Sequence, residues 1–383
     1  MSKVLFFAAV FVAVSTVSAQ TVRVGSSQTE YFSQIDGIPL TEIVKRSFEA
    51  NGDLKIARLD VEKARARLTQ AGLRPNPTLE VETTSGRLAG SAGDSEFSAG
   101  VSLPLDLYGQ RSRRIDLANA DIALKEAEVI ARQRILASQI FVAYAEALAA
   151  LREVQVLEEL LDLDTQTVRF VQIRVNEGET PPLELNLLQT EVERLRARRQ
   201  IAEGKLQASI SRLRFYAGVP HEEPFKLRED ISAATLPSLP STMETSITVG
   251  LQNRPEIRLA ELDERLASAG LRLVRSQSRA DVTAYSRYTQ GRSNIDLPNG
   301  PFRQDPNRSI TFGVAIGLPV FNKNQGAKAE FAIAIRQAQE RRTFAEQIIR
   351  NEIRAAFGSM EGARRAIAIP DTPAVPPSRE SSE

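Results

Sequence analysis

The sequence predicts a mainly α-helical protein with a small β part, in which long coiled-coil hairpins are joined to four β-strands per chain. Three observations lead to this fold class. One passage of helix-favouring residues is longer than a compact domain would hold, four runs alternate between apolar and polar residues, and the order of these segments occurs twice in 383 residues. Each half is therefore predicted to run helix, strand, loop, strand, helix.

The first 19 residues have the pattern of a secretory signal peptide. Lys3 precedes the apolar run 4–14, and residues 17–19 supply a cleavage site before Gln20. The apolar run is about half as long as the roughly 20 residues that a spanning helix needs, and we see no later stretch that is apolar for that length. We therefore predict export through a cleaved signal peptide and no membrane-spanning helix.

Two passages of the chain are similar at a constant offset of 203 positions, as from Leu54 to Ile257. The matching residues are Leu54, Ala57, Leu59 and Asp60 in the first passage and Ile257, Ala260, Leu262 and Asp263 in the second. Each passage is followed by two strand-like runs, the second of which ends in a Leu-Pro pair, Leu103-Pro104 or Leu318-Pro319. For this later part, equating Gly100 with Gly313 gives an offset of 213.

The repeat predicts the domain organisation. We expect a signal peptide at 1–19, an N-terminal extended segment at 20–39, a first repeat at 40–219, a linker at 220–242, an incomplete second repeat at 243–369 and a disordered Pro- and Ser-rich tail at 370–383. The single histidine, His221, follows Gly218-Val219-Pro220 in this linker and is expected to be a surface loop residue.

The strands are predicted where apolar side chains alternate with polar or small ones, at 79–83, 97–105 and 310–318 and less cleanly at 282–289. About ten residues of alternation suit a tilted strand that crosses a bilayer with an apolar outside and a wet inside. A soluble, half-buried sheet is the alternative that the pattern leaves open. Because four strands cannot close a barrel, which needs roughly eight, a membrane barrel would have to be shared with other copies of the chain.

A very long helical hairpin is predicted after the second strand. Residues 112–175 contain neither Pro nor Gly, which corresponds to roughly 95 Å of helix. Its later part spaces apolar residues by three or four, at Tyr144, Leu148, Leu151, Val154, Leu157, Leu161, Val168, Val171 and Val175. The returning helix has a heptad seam at Leu185, Leu188, Val192, Leu195, Arg199, Ala202, Leu206, Ser209 and Leu213, with Arg199 and Ser209 as weak points.

Composition excludes several classes of function. The formal net charge of +1 gives no overall attraction for nucleic acid, and the absence of cysteine removes thiol chemistry. One histidine without a second histidine or a cysteine cannot form the usual transition-metal site. We therefore predict that the chain is not an enzyme and that it holds no catalytic residues, no cofactor and no resident metal.

Three segments carry a family resemblance: Ala71–Pro77 (AGLRPNP), Leu103–Arg111 (LPLDLYGQR) and Gly317–Gly326 (GLPVFNKNQG). Over about residues 40–369 the chain resembles the outer-membrane efflux proteins typified by TolC, and most of all their cobalt-zinc-cadmium resistance branch. The resemblance implies a homotrimer in outer-membrane lipid, with a twelve-stranded transmembrane β-barrel above a periplasmic α-barrel. It also implies a passive exit duct for small solutes, joined to a periplasmic adaptor (membrane fusion) protein and an inner-membrane transporter, and it favours divalent metal cations as cargo.

In that family the turn of the helical hairpin forms the constriction and the adaptor contact. The corresponding residues are Asn176, Glu177, Gly178, Glu179, Thr180, Leu183 and Glu184. A ring of Glu177 and Glu179 from several copies would favour cations at a narrow mouth. The alternative is an ordinary solvated turn, in which Gly178 serves the backbone geometry. We predict the adaptor contact in preference to a cation filter.

The second half of the chain is shorter than the first. Gly313 lies 70 positions before Glu383, whereas Gly100 lies 119 positions before Val219. We therefore expect a second hairpin without its turn and descending helix, which would leave Ala338, Ala345 and Ile349 exposed. Three functions stay open: an efflux duct, a soluble periplasmic coiled-coil adaptor or scaffold, and a truncated, non-conducting member of the family.

Overall fold

The computed structural model describes residues 31–85, 95–220, 222–229, 242–295 and 303–367. The predicted signal peptide, His221, most of the predicted linker and the predicted tail lie outside the described residues. The strands and helices are Leu40–Ala50 (α1), Gly52–Ala71 (α2), Thr78–Ser85 (β1), Ser95–Leu105 (β2), Gln110–Asn176 (α3), Pro182–Ala217 (α4), Met243–Asn253 (α5), Pro255–Gln277 (α6), Asp281–Ile295 (β3), Arg303–Gly317 (β4) and Gln325–Ile367 (α7). The predicted order of helices and strands is therefore present in both halves.

The repeat is visible in the helix boundaries. Helices α1 and α5 each have 11 residues, and α5 begins at Met243, 203 positions after Leu40, as predicted. In the first half the Leu54 N–H donates to Asn51 Oδ1 at 3.0 Å, so Asn51 caps α2. In the second half Pro255 begins α6, because proline lacks the N–H that a first helical turn leaves unpaired anyway.

The offset changes after the strands. Helices α3 and α7 begin at Gln110 and Gln325, 215 positions apart. The predicted offset of 213, taken from Gly100 and Gly313, is therefore wrong by two residues, whereas the two Leu-Pro pairs keep the observed spacing. The two glycines do not occupy equivalent places in the sheet, as the register described below makes clear.

The four strands form one antiparallel sheet in the order β1-β2-β3-β4. Strands β3 and β4 have 15 residues each, which is longer than the alternation predicts, because they pair along their full length from Asp281↔Gly317 to Ile295↔Arg303. The pairs Thr78↔Ser102, Leu105↔Val282 and Asp281↔Gly317 bring the helix-bearing ends of all four strands together. All four connections to helices therefore leave from the same end of the sheet.

Helix α3 has 67 residues and is about 100 Å long. We predicted that no later stretch is apolar enough to span a membrane, and the composition of α3 contradicts this. An 18-residue window of α3 has a mean hydropathy of 1.4, and 44% of that window is buried. This stretch is apolar because α3 packs against other helices, where Ala143, Ala147 and Leu148 are at most 5% exposed. Its apolar content thus includes a buried seam between helices.

One compact unit contains the described residues of Met1–Arg46 and Gln139–Thr235. Most of the predicted seam is buried there, at Tyr144, Leu148, Leu151, Val154, Leu157, Val171, Leu185, Val192, Leu195, Ala202, Leu206 and Leu213. Ser209 is only partly buried, and Ile210 occupies the buried position beside it. Arg199 is kept in the seam by two carboxylates, at 2.8 Å from Glu158 and 3.0 Å from Glu203.

The segment around Leu227 closes this unit. The Leu227 N–H donates to the Tyr31 carbonyl at 2.9 Å, and its own carbonyl accepts from the Ser33 N–H at 3.0 Å. The Leu227 side chain is fully buried. Nearby, the Tyr144 hydroxyl donates to Glu229, whose other carboxylate oxygen accepts from the Leu40 N–H at 3.3 Å. Burial and this hydrogen bond raise the pKa of Tyr144 above its ordinary value.

A second compact unit contains the described residues of Ser47–Ser138 and of Leu236–Glu383. In it α7 packs closely against α5 and α6: a Cβ on Gly270 would lie 2.2 Å from the ring of Phe331, and a Cβ on Gly250 would lie 2.5 Å from Ile353. Ala338 and Ile349 are each 1% exposed, and Ala345 is partly buried. The prediction that these three residues stay exposed is wrong, because helices of the second half itself cover them.

Candidate functional site

One face of the sheet is apolar and open to its surroundings. Residues that pair directly across antiparallel strands point to the same face, and the register therefore collects one continuous set. Its exposed apolar members are Leu79, Val81, Phe97, Val101, Leu103, Tyr288, Ile310, Phe312, Val314 and Ile316, and the exposed Arg292 and Arg308 lie on the same face near the loop end of the sheet. Phe312 is 79% exposed and Leu79 is 69% exposed. From Phe97 to Leu105 this face is about 27 Å tall along the strand, and such a surface marks contact with a membrane or a partner.

The opposite face is polar, and its centre is an ion pair that spans three strands. Arg287 Nη2 lies 3.0 Å from Glu80 Oε2, and Nη1 lies 3.5 Å from Glu82 Oε2. Arg287 on β3 pairs with Gly100 on β2, which in turn pairs with Glu80 on β1. Because Gly100 has no side chain, the guanidinium of Arg287 crosses β2 to reach the two carboxylates.

A second glycine makes room for an aromatic ring on this polar face. Gly313 on β4 pairs with Tyr285 on β3, and a Cβ on Gly313 would lie 2.4 Å from the Tyr285 hydroxyl oxygen. The ring therefore lies over β4. Together with Glu80, Gly100 and Arg287, Tyr285 lines a shallow cavity of about 310 Å³ on the polar face.

The sheet has two edge strands, β1 and β4. Strands β1 and β4 each pair on one side only within the described part of the chain. An edge strand presents unpaired N–H and C=O groups that can pair with another chain. The edges of β1 and β4 therefore have the unpaired backbone groups that pairing with a further strand requires.

A larger cavity of about 780 Å³ lies in the second unit among α2, α3, α6 and α7, with a mainly apolar lining. Two of its arginines are already paired, Arg67 with Asp121 at 3.1 Å and Arg114 with Asp106 at 2.9 Å. Arg114 also donates to the carbonyl of Leu73 at 3.3 Å. These arginines therefore hold the ends of α2 and α3 together at the start of the sheet.

Of the predicted hairpin-turn residues, Glu177, Gly178, Glu179 and Thr180 lie between α3 and α4. Asn176 is the last residue of α3, and Leu183 and Glu184 lie in the first turn of α4. The turn depends on Gly178, whose φ of 80° is in the left-handed region that favours glycine. The Glu177 N–H donates to the Ile173 carbonyl at 3.0 Å, and the Glu179 N–H donates to the Arg174 carbonyl at 2.9 Å. These bonds satisfy carbonyls that would be left unpaired at the end of α3.

The side chains of the turn differ in their surroundings. Glu179 Oε2 lies 3.4 Å from Arg174 Nε, and the Arg174 guanidinium lies 5.9 Å from the centre of the Phe170 ring. Thr180 is buried, whereas Leu183 is 67% exposed. Asn176 accepts a hydrogen bond from Gln172, and Glu177 and Glu184 are exposed. Of the two glutamates that a cation-favouring ring would use, Glu179 is thus engaged with a cation of its own chain.

Sequence reasoning missed the apolar residues beside this turn. Phe170 and Ile173 on α3 and Leu187 on α4 are all more than half exposed. Phe170 and Ile173 are three residues apart, and Leu187 is four residues after Leu183, all at positions outside the buried seam. This helical spacing is the signal from which they could have been predicted. Together with Leu183, these residues are exposed apolar side chains on the two helix ends that flank the turn.

Comparison with known proteins gives a family match and several relatives. Residues 43–219 match the family model described as outer membrane efflux protein. The chain is 25% identical over 323 residues to the cobalt-zinc-cadmium resistance protein CzcC of Cupriavidus metallidurans, which covers 82% of this chain and 71% of that protein. It is 25% identical over 311 residues to the probable outer membrane lipoprotein SilC of Salmonella typhimurium, covering 78% of this chain and 65% of the relative.

A third relative is the cation efflux system protein CusC of Escherichia coli O157:H7, 26% identical over 304 residues. That match covers 78% of this chain and 64% of CusC. The chain therefore spans about two thirds of the length of the curated relatives it matches.

Solved structures show the same fold. A structure of CusC has a TM-score of 0.66 at 21% identity, covering 86% of this chain and 77% of that chain. The outer-membrane channel OprN has a TM-score of 0.66 at 18% identity, covering 85% and 76%. The outer membrane protein VceC of Vibrio cholerae has a TM-score of 0.63 at 18% identity, covering 86% and 80%. The predicted fold class, mainly helical with four strands that belong to a channel fold, is confirmed.

Proposed function

We propose that the chain is a member of the outer membrane efflux protein family and that it is an outer-membrane channel that serves as the passive exit duct of an efflux system. The observation that carries the proposal is the two-faced sheet. An exposed apolar face suits the hydrocarbon of a bilayer, and the polar face with Arg287, Glu80 and Glu82 suits a water-filled lumen.

The barrel is shared among copies of the chain. Four strands with open edges are too few to close, and unpaired backbone groups are not tolerated in lipid. Strands β1 and β4 therefore pair with strands of neighbouring copies, and a homotrimer would give twelve strands. The helices form the periplasmic part of the duct, and apolar side chains such as Phe141 and Phe344, which are 50% and 63% exposed, are available for contacts between copies.

The hairpin turn is the contact with a periplasmic adaptor protein, which links the duct to an inner-membrane transporter. Asn176, Glu177, Gly178, Glu179, Thr180, Leu183 and Glu184 carry this role, with the exposed Leu183 at its centre. The ion pair between Glu179 and Arg174 supports adaptor contact over a cation ring, because it neutralises one of the carboxylates that the ring would need.

Metal cations are the proposed cargo. Two relatives are named for cobalt-zinc-cadmium resistance and for cation efflux. A passive duct carries what its transporter delivers, so no resident metal, cofactor or catalytic group is required of this chain.

A soluble periplasmic adaptor or scaffold is the second candidate, and it is disfavoured by the sheet. In water the apolar face around Phe312 and Leu79 would be exposed over its whole height. A non-conducting member of the family is the third candidate, which only a conductance measurement separates from a duct.

Outer-membrane fractionation of the expressed chain tests the proposal, followed by gel mobility of unheated samples and single-channel recording in planar bilayers. We expect a heat-sensitive oligomer in the outer membrane that conducts ions. Recovery in the soluble periplasm would favour the scaffold, and an outer-membrane oligomer without conductance would favour the non-conducting member.

A further inference from the structure

We infer that the polar face of the sheet makes the pore prefer cations and that Arg287 limits the strength of this preference. The inference rests on the proposed channel function, because only in a barrel does this face line a lumen. It assigns to one arginine a role in selectivity in addition to its contacts with neighbouring strands.

The first argument is the charge of the two faces. Across 78–85, 95–105, 281–292 and 306–317 the register puts four carboxylates on the polar face, from Glu80, Glu82, Glu96 and Asp281. The same face has one guanidinium in these ranges, that of Arg287. Within these ranges carboxylates therefore outnumber cations four to one, and a ring of copies would repeat the excess around the lumen. Acidic linings of this kind favour cations.

The second argument is the position of Arg287. Its guanidinium lies over Gly100 and contacts Glu80 at 3.0 Å and Glu82 at 3.5 Å, so it neutralises part of the charge of two neighbouring carboxylates. A Cβ on Gly100 would lie 3.4 Å from the Arg287 Cβ and 3.2 Å from the Ser286 carbonyl oxygen. The glycine thus provides the space for the arginine side chain to lie flat across β2.

The third argument is that this ion pair contributes little to stability. Arg287 is 39% exposed, and Glu80 and Glu82 are 56% and 69% exposed. Ion pairs with this degree of exposure gain little free energy because water screens the attraction. Removing Arg287 therefore changes the charge of the lining much more than it changes the folding of the barrel.

The test is the reversal potential of single channels under a salt gradient, measured for the full-length oligomer with potassium chloride. Arg287→Gln should raise the cation-to-anion permeability ratio about twofold at about 0.1 M salt. One unit charge at roughly 10 Å in water, screened over a Debye length of about 10 Å, changes the local concentrations of cations and anions in opposite directions by about 1.3-fold each. The double variant Glu80→Gln/Glu82→Gln should lower the ratio by at least as much, because it leaves Arg287 without a counter-charge. Arg287→Lys keeps the charge and should leave the ratio unchanged.

Arg292→Gln is the matched control. Arg292 lies on the same strand but on the opposite face, where it pairs with Ser95. It removes the same charge from the chain, and we expect the permeability ratio to stay at the wild-type value. The effects of the Arg287 and glutamate variants should also shrink between about 0.1 M and about 1 M salt, as the Debye length falls from about 10 Å to about 3 Å.

The outcomes separate this inference from the proposed function. A wild-type chain that does not conduct would overturn the channel itself. Conducting variants whose permeability ratio is the same for Arg287→Gln, Glu80→Gln/Glu82→Gln and wild type would leave the channel intact and overturn the role of Arg287. An equal shift in Arg292→Gln would also overturn it, because the effect would then follow total charge and not the polar face.

Discussion

Gly109 and Asn324 occupy equivalent positions 215 residues apart, and both have positive φ, at 70° and 54°. Each stands directly before the glutamine that begins a long helix, Gln110 of α3 or Gln325 of α7. The conformation is left-handed in both, which glycine adopts freely and asparagine tolerates better than most residues.

The hydrogen bonds around these two residues repeat as well. The Tyr108 N–H donates to Gln110 Oε1 at 2.9 Å, and the Lys323 N–H donates to Gln325 Oε1 at 2.9 Å. The two halves therefore leave the sheet and enter their helices by the same local structure.

Replacement of the left-handed glycine is the first prediction. Gly109→Ala should lower the free energy of unfolding by about 1 kcal/mol, because a Cβ is strained at positive φ. Gly204→Ala is the matched control, since Gly204 lies inside α4 and the Cβ that the substitution adds would have no heavy atom within 4 Å. It should raise stability by roughly 0.5–1 kcal/mol through helix propensity. Urea unfolding of the detergent-solubilised protein measures both, and a neutral Gly109→Ala would contradict the role of this junction.

Much of the fold follows from local pattern. The alternation at 97–105 predicts β2, and the absence of Pro and Gly from 112–175 predicts α3 almost to its ends. The turn at Gly178 is equally local, because positive φ and the break between two seams coincide there. These features depend on neighbours in sequence, which is why the sequence predicts them.

What the sequence did not predict depends on contacts between distant residues. Gly100 and Gly313 look equivalent in sequence, yet Gly100 accommodates Arg287 and Gly313 accommodates the ring of Tyr285. Equating these two glycines is the reason why the predicted offset between the two halves was wrong by two residues. The burial of Ala338 likewise depends on helices that pack from another part of the second half. The family resemblance was enough to name the residues of the hairpin turn. It did not predict that Glu179 pairs with Arg174.

The second prediction concerns Arg199 in the hairpin seam. Its side chain is 16% exposed and contacts Glu158 at 2.8 Å on the opposite helix and Glu203 at 3.0 Å on its own helix. Arg199→Ala should lower the free energy of unfolding by about 1.5–3 kcal/mol, because it leaves two partly buried carboxylates without their charged hydrogen bonds. Urea unfolding followed by circular dichroism gives the value.

Arg196→Ala provides the comparison for Arg199. Arg196 lies on the same helix and pairs with Glu193, but the two side chains are 58% and 68% exposed. This pair should contribute no more than about 0.5 kcal/mol. If both variants lose the same stability, the seam position of Arg199 is not the cause.

The stabilisation by Arg199 depends on pH only at very alkaline values. The hydrogen bond to Glu158 raises the pKa of Arg199 above its ordinary value. The contribution of Arg199 to the free energy of unfolding is therefore constant below the ordinary pKa of arginine and is lost only at still higher pH.

The third prediction is an alkaline loss of stability at Tyr144. Burial, and then the hydrogen bond to Glu229, raise the pKa of this phenol above its ordinary value of 10. The folded state therefore binds the proton more tightly, and the stabilisation is complete below about pH 10 and is lost as the pH rises above it. Tyr144→Phe should remove this alkaline dependence and cost about 1–2 kcal/mol at neutral pH, since Glu229 loses a buried donor.

A pair of unfolding curves at neutral and alkaline pH measures the effect of Tyr144. Glu229→Gln is the informative companion, because its amide carries no charge and keeps one acceptor oxygen, for either the Tyr144 hydroxyl or the Leu40 N–H. It should show a smaller alkaline loss than wild type. An alkaline loss of the same size in Tyr144→Phe would assign the effect to another group.

The last prediction separates adaptor contact at the hairpin turn from conduction. Leu183→Glu puts a charge among the exposed apolar side chains beside the turn, where Leu183 itself is 67% exposed. A charge without a partner in an apolar contact weakens binding, so metal resistance in cells and cross-linking of the turn to the co-expressed adaptor should both fall at least tenfold. Single-channel conductance should keep its wild-type value, because the barrel is unchanged.

Gln200→Glu is the control for Leu183→Glu. It adds the same charge to an exposed position about 26 Å along the same helix and should leave resistance and cross-linking intact. Loss of conductance in Leu183→Glu would mean that the turn shapes the pore itself, and full resistance with normal cross-linking would remove Leu183 from the adaptor contact.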